Sequence, residues 1–96
     1  MFTFPKVSDG SISQIAIARI TRGYSVKELA HLIDIDQSLV EAWEAGRDYP
    51  STAKLNRLIL LLRWPKGMLL SRNLSPEEAI KFVQEQRRKI EAGEAS

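Results

Sequence analysis

Between Gly23 and Ser51 the chain reads GYSVKELAHLIDIDQSLVEAWEAGRDYPS. Two amphipathic segments lie within it. In the first, Ser25 and Glu28 form a Ser-x-x-Glu capping box, whose hydroxyl and carboxylate satisfy backbone N–H groups that no helical carbonyl reaches. Val26, Leu29, Ala30 and Ile33 then recur on one helical face. Asp34-Ile35-Asp36 breaks the pattern: Asp34 tolerates a left-handed backbone better than most residues, and Asp36 is placed to cap the next helix. Leu39, Val40 and Trp43 give the second segment its apolar face, and Gly46 closes it. Two short helices joined by a tight turn, the second running from about Gln37 to Ala45, make the physical unit that can lay a helix in a major groove.

The flanking sequence extends this unit with more helix. Ser11 and Gln14 repeat the capping-box spacing, and Ile12, Ile15, Ala16 and Ile20 come after it, predicting a first helix from about Ile12 to Thr21 that ends at Gly23. Downstream, Ser51 or Thr52 caps a helix whose Leu55, Leu58, Ile59 and Leu62 face inward, and Trp64-Pro65 stops it because a residue before proline disfavours helical backbone. Pro65 to Leu70 makes one short helical turn that returns Met68, Leu69 and Leu70 to the core. Ser75-Pro76-Glu77-Glu78 is the strongest helix start in the chain, joining a serine cap, a proline at the first helical position and acids at the positive end of the dipole. That helix reaches about Ile90. Its modest stripe of Ile80, Val83 and Ile90, with Ala79 and Phe82 beside it, either folds back on its own domain or pairs with the same helix of a second copy.

No segment alternates with period two, apart from a hint at Phe2-Thr3-Phe4, so the fold class is all-α. The chain divides into an arm (1–10), a helix-turn-helix domain (11–71) and a C-terminal helix with its tail (72–96), frayed from Gly93 onward. The arm from Phe2 to Val7 covers the core, pairs between subunits or lies disordered.

Ninety-six residues suffice for one domain with a core that needs no staple. Absence of cysteine excludes disulfides and thiolate zinc sites, and the single histidine, His31, cannot hold a metal alone. No serine, cysteine or carboxylate pair is placed to suggest a catalytic triad with His31, so an enzyme is not expected. The N-terminus lacks the positive start, apolar run and cleavage site of a signal peptide. The most apolar stretch, Leu58 to Leu62, falls far short of the roughly 20 residues that cross a bilayer. A soluble, cytoplasmic protein is expected.

Net charge is +2, unevenly spread. Ser25 to Asp48 holds two basic residues against six acidic, whereas Met1 to Tyr24, Tyr49 to Leu62 and Arg63 to Ile90 are each net basic. Distribution matters more than the total, because non-specific attraction to DNA needs clustered cations. The run Arg87-Arg88-Lys89 reads as a solvated helix face in narrow preference to a phosphate-binding patch.

The stretch from Gly23 to Ser51 resembles the Cro/C1-type (Xre-like, lambda-repressor-like) helix-turn-helix DNA-binding family. The resemblance covers about Ile12 to Leu70, and its most specific pieces are Glu28-Leu29-Ala30 and Trp43-Glu44-x-Gly46-x-x-x-Pro50. It implies a five-helix domain, to which the Ser75 to Ile90 helix is an addition, binding double-stranded operator DNA as a two-fold dimer with its third helix in the major groove. At the start of that helix, Asp36, Gln37 and Ser38 match positions that meet base edges and nearby phosphates; Glu41 and Ala42 face the same groove one turn later. Gln37 is the first choice for base reading, because a carboxamide can both donate to and accept from an adenine edge. Ser25 and Lys27 match positions that touch the sugar-phosphate backbone, and Arg47, Thr52 and Lys54 lie around the next loop and cap. With Asp36 they form the expected phosphate-contacting set. The family also often pairs an arginine late in the first helix with the glutamate of the Trp-Glu motif, which here implies an ion pair between Arg19 and Glu44 that locks the first helix to the third.

Two functions from different classes are compatible with these features. The first is a sequence-specific transcriptional regulator, a repressor acting as a homodimer on an operator, with no cofactor, metal, membrane or small-molecule substrate. The second is a helix-turn-helix-derived protein-interaction or antitoxin-like module whose acidic helix pair docks on a basic protein partner, since a fold alone does not fix a function.

Overall fold

The computed structural model describes residues 4–69 and 71–94. Among them are six α-helices: α1 (Gln14–Arg22), α2 (Val26–Leu32), α3 (Gln37–Glu44), α4 (Thr52–Leu62), α5 (Lys66–Leu69) and α6 (Pro76–Lys89), the last running into a π-helical turn over Ile90–Glu94. The described residues form no strand, only an isolated antiparallel bridge between Ile12 and Leu74. The strand hint at Phe2 and Thr3 and the core position expected of Leu70 lie outside the described residues.

Serine starts most of these helices. Ser13, Ser25, Ser51 and Ser75 each hold extended backbone and accept a hydrogen bond from the amide three residues on, at Ala16, Glu28, Lys54 and Glu78. Such a cap is worth about 1 kcal/mol. Ser25 with Glu28 and Ser75 with Glu78 complete reciprocal capping boxes. Between α2 and α3 the turn is made by Asp34, at φ 58°, a left-handed conformation that a short polar side chain tolerates.

One expectation about a helix start is corrected. The capping box predicted at Ser11 and Gln14 does not form. Ser11 instead bonds to the Asp9 carboxylate through both its amide and its hydroxyl, at 2.9 and 2.6 Å, and α1 begins on the cap residue Ser13, two positions later. Ile12 is thereby freed to exchange two backbone hydrogen bonds with Leu74, at 2.7 and 3.0 Å, with its side chain fully buried. At the other end of the domain, α4 stops at Arg63, whose φ of 52° places it in the left-handed region ahead of Trp64-Pro65.

Helix α1 is the central strut. Seven of its nine residues are buried, so it is covered on nearly every side rather than along one stripe. Helix α6 supplies part of that cover: α1 with α6 and α2 with α3 are the most extensive helix pairings. Ala79 and Val83 are wholly buried, and Phe82 meets Trp64 edge-on at 5.8 Å between ring centroids. The apolar stripe of α6 therefore folds back on its own chain. The described part of the arm does the same: Phe4 packs against the core, and a Val7 methyl lies only 3.0 Å from where a Cβ at Gly46 would stand. Gly46, at φ +77°, is thus required both by backbone conformation and by space.

Arginines satisfy the carbonyl ends of neighbouring helices. Arg22 donates from Nε to the Leu62 carbonyl at 2.7 Å, at the end of α4, and Arg57 donates to the Ile33 carbonyl at the end of α2 at 3.0 Å. Arg87 reaches the Thr21 carbonyl in the last turn of α1 at 3.5 Å. Helix C-termini leave unpaired carbonyls with partial negative charge, and cations from adjacent helices answer both needs.

Candidate nucleic-acid interface

Helix α3 presents one face inward and one outward. Val40 and Trp43 sit in the core, Leu39 packs beside them, and Glu44 is buried. Gln37, Ser38 and Glu41 are exposed, and Ala42 is half-buried. On the outward face the Gln37 amide Nε2 donates to Glu41 Oε2 at 3.2 Å, one turn along the helix. A carboxamide carries two N–H donors and a carbonyl. This bond engages one N–H and orients the other N–H and Oε1.

The inner face is held by charge. Arg19 Nε donates to Glu44 Oε2 at 2.7 Å and Arg19 Nη2 to Glu44 Oε1 at 2.9 Å, a bidentate pair joining α1 to α3. The side chains are 9% and 1% exposed. Arg19 Nη1 also donates to the Tyr24 carbonyl at 2.9 Å, which ties in the α1–α2 connection. In so dry a setting the planar guanidinium fixes the carboxylate in direction as well as distance.

The remaining expected residues lie at three helix starts and one loop. Ser25 caps α2 and Lys27 lies in its first turn, both exposed. Thr52 begins α4 and is exposed, while Lys54, half-buried, gives its amide to the Ser51 hydroxyl at 3.3 Å. Arg47 is exposed just beyond Gly46. Asp36 occupies the cap position of α3 but makes no side-chain capping bond, contrary to the role its sequence position implies. Its carboxylate is exposed at the helix start.

Of the six acidic residues of this segment one is withdrawn from the surface, and Glu28, Asp34, Asp36, Glu41 and Asp48 stay exposed. Glu44 is buried against Arg19. Glu28 is engaged in the α2 capping box, and the backbone and side-chain hydrogen bonds from Ser25 hold its carboxyl below the usual range. Asp48 accepts the Tyr49 amide at 2.8 Å. The carboxylates of Asp36 and Glu41 are those left on the exposed face of α3 and its start.

Sequence reasoning misses Gln14, Arg22 and Arg57 as organising residues. Each acts on a carbonyl more than 20 positions away in sequence. No local pattern distinguishes such an arginine from one on a solvated helix face. Among the described residues no helix is long and apolar enough to cross a membrane.

A buried strut, a short second helix and a third helix bearing an exposed polar face after a left-handed turn define a helix-turn-helix domain. The family model described as Helix-turn-helix matches residues 15–63, just over half of the chain. The chain belongs to this family, of the Cro/C1 type, and carries a DNA-binding helix-turn-helix domain of the kind found in transcriptional regulators, extended by α6. No curated protein and no solved structure matches it.

Proposed function

We propose that the protein is a cytoplasmic transcriptional repressor that reads a short operator as a homodimer, with α3 in the major groove. The observation that carries this reading is the two-sided character of α3. Its inner face is clamped to α1 by the Arg19–Glu44 pair, while its outer face leaves Gln37 and Ser38 exposed. Base reading needs a polar helix face held rigidly, because misplaced hydrogen bonds do not discriminate.

Gln37 reads an adenine edge with Oε1 and its second N–H, pre-oriented by Glu41. Ser38 contacts an adjacent base or phosphate, and Ala42 packs against a thymine methyl. Glu41 accepts from a cytosine amine. Ser25, Lys27, Arg47, Thr52 and Lys54 position the domain on the sugar-phosphate backbone, with Asp36 at its edge. A two-fold dimer doubles the site and makes the operator palindromic.

The test is selection of bound sequences from a random duplex pool, then titration of the winner against scrambled DNA at two salt concentrations. A shared palindromic site, bound at least ~10³-fold better than scramble, establishes the operator reader. Failure to enrich any site, with only weak salt-sensitive binding, rejects it. Asp36 and Glu41 on the exposed side then point to a basic protein partner, the second reading.

A further inference from the structure

The basic run at the end of α6 takes no part in the contacts proposed above, yet the fold gives it a definite place. Arg87 donates from Nε to the Thr21 carbonyl in the last turn of α1 at 3.5 Å. Its Nη2 lies 3.8 Å from where a Cβ at Gly23 would stand, so the guanidinium rests beside the exposed connection between α1 and α2.

Two more arginines end at the same corner. Arg22 donates from Nε to the Leu62 carbonyl at 2.7 Å and from Nη2 to the Arg63 carbonyl at 3.2 Å, which brings the end of α4 to the end of α1. Arg22 and Arg63 also line one open groove together with Tyr24. Arginines of α1, of the α4 cap and of α6 thus converge where α1 ends, and Arg88 is exposed at the next position of α6. A hydrogen bond to a neutral carbonyl positions a guanidinium without removing its charge. Glu85 and Glu91 border the run on α6, so the positive character belongs to this corner and not to the helix as a whole.

We propose that α6 widens the DNA-contacting surface: the phosphate backbone met by Ser25 and Lys27 continues past Gly23 to Arg87, where Arg22, Arg63 and Arg88 deepen the positive potential. Ser25 is two residues beyond Gly23, a span of at most ~7 Å. A DNA strand carries one charge per ~3.4 Å of helix axis, so this is the reach of one or two further phosphates. The contact lengthens the footprint and adds affinity without choosing bases. Continuity with the Ser25–Lys27 edge, and not charge alone, selects DNA over an acidic protein segment. Because α6 lies beyond the residues 15–63 that match the family, the contact is particular to this chain's extension. It rests on the DNA-binding reading.

The experiment measures binding of the full chain to a scrambled duplex and to the selected operator between ~50 and ~200 mM salt, in wild type, Arg87→Gln, Arg87→Lys and Lys81→Gln. Losing one phosphate contact lowers the slope of log K against log salt by about 0.9, so over this range Arg87→Gln should lose about 3.5-fold less affinity than wild type. Its carboxamide can still donate to the Thr21 carbonyl, and the operator-to-scramble ratio should stay the same. Arg87→Lys keeps a cation and should keep the slope. Lys81→Gln makes the same change in net charge about 9 Å back along α6 and should also keep it. An unchanged slope in Arg87→Gln, an equal fall in Lys81→Gln, an equal fall in Arg87→Lys, or an altered ratio overturns the contact. The scrambled duplex needs no operator, so the slope test stands whatever selection yields. A wild type that binds neither duplex rejects the DNA reading and the contact with it; a wild type that binds while Arg87→Gln behaves identically rejects the contact alone.

Discussion

Removing one partner of the Arg19–Glu44 pair should nearly unfold the protein, whereas removing both should not. The pair is bidentate at 2.7 and 2.9 Å with both side chains almost fully buried. In Glu44→Ala the guanidinium keeps its bond to the Tyr24 carbonyl but loses its counter-charge in a dry interior. Leaving one buried charge uncompensated costs about 3–5 kcal/mol. A chain of this length has about 5–14 kcal/mol in total, at roughly 0.05–0.15 kcal/mol per residue. The melting temperature should therefore fall by roughly 12–40 °C, at about 4–8 °C per kcal/mol. In the double variant Arg19→Met with Glu44→Leu the desolvation penalty vanishes with the charges, and stability should return to within about 1 kcal/mol of wild type or above it. Urea unfolding monitored by tryptophan fluorescence and far-ultraviolet circular dichroism measures both. A loss below about 1 kcal/mol in Glu44→Ala would show that the pair acts as a hydrated surface bridge. A double variant no more stable than the single would refute the uncompensated charge as the cause. On the proposed function the double variant has a further consequence: α3 keeps its helix but loses its directional anchor, so operator affinity should fall although stability does not.

Other expectations rest on the same geometry. Gln37→Ala should lower discrimination between operator and random DNA, while Lys54→Ala should weaken both alike and reduce the salt slope by about 1; unchanged operator preference in Gln37→Ala would remove α3 from the reading role. Asp36→Ala should cost less than about 0.5 kcal/mol, because Asp36 makes no capping bond, whereas Ser25→Ala should cost about 1 kcal/mol; equal losses in urea unfolding would contradict the difference. The hydrogen bond from Arg72, then the Ser75 amide, lower the Glu78 carboxyl from 4.5 to about 2, and hydrogen bonds from Ser11 lower Asp9. Depressed folded values mean that the unfolded chain binds more protons in acid, so this stability is present above the ordinary carboxylate range and is lost as pH falls from 4.5 toward about 2. Glu78→Gln should flatten the urea midpoint against pH in that window. Glu41→Gln should raise affinity for random DNA more than for operator; an equal rise would mean that Glu41 acts only as a charge.

The elements legible in the sequence are those written in local code. Ser25 with Glu28 and Ser75 with Pro76 and Glu78 announce helix starts because each bond is made within one turn. Asp34 announces the α2–α3 turn because its left-handed backbone is a property of one residue. The features that escape a sequence reading are non-local. Ser11 and Ser13 stand two residues apart and both offer a hydroxyl; Leu74, more than 60 residues away, selects Ser13 by bonding to Ile12. Arg63 ends α4 although neither glycine nor asparagine stands there. The Arg19–Glu44 pair is foreseeable only through family resemblance, since 25 positions separate its members. The exposure of Gln37, Ser38 and Glu41 is readable from the helical period of Leu39, Val40 and Trp43, but the hydrogen bond between Gln37 and Glu41 requires their rotamers.

Carboxylates at a DNA-reading surface look like a defect if affinity is the criterion. They look different if selectivity is. Non-specific association is dominated by phosphates, so an acid facing the duplex opposes every register in which α3 rides against the backbone. On the proposed reading, the same acid points at base edges in the cognate register. There Glu41 already holds a hydrogen bond from Gln37 and can accept from a cytosine amine, so its repulsion is partly offset. A protein discriminates by the difference between the two states, and a group that penalises the wrong one serves as well as a group that favours the right one. Burial of Glu44 removes one acid from this surface, and Asp36 and Glu41 are the carboxylates next to the residues proposed to read bases. The exposed cations Lys27 and Arg47 lie outside the first turn of α3, where attraction to phosphate carries no sequence information. On the proposed function, attraction is thereby assigned to the flanks and repulsion to the reading face, an arrangement that favours a weakly sticking but selective reader.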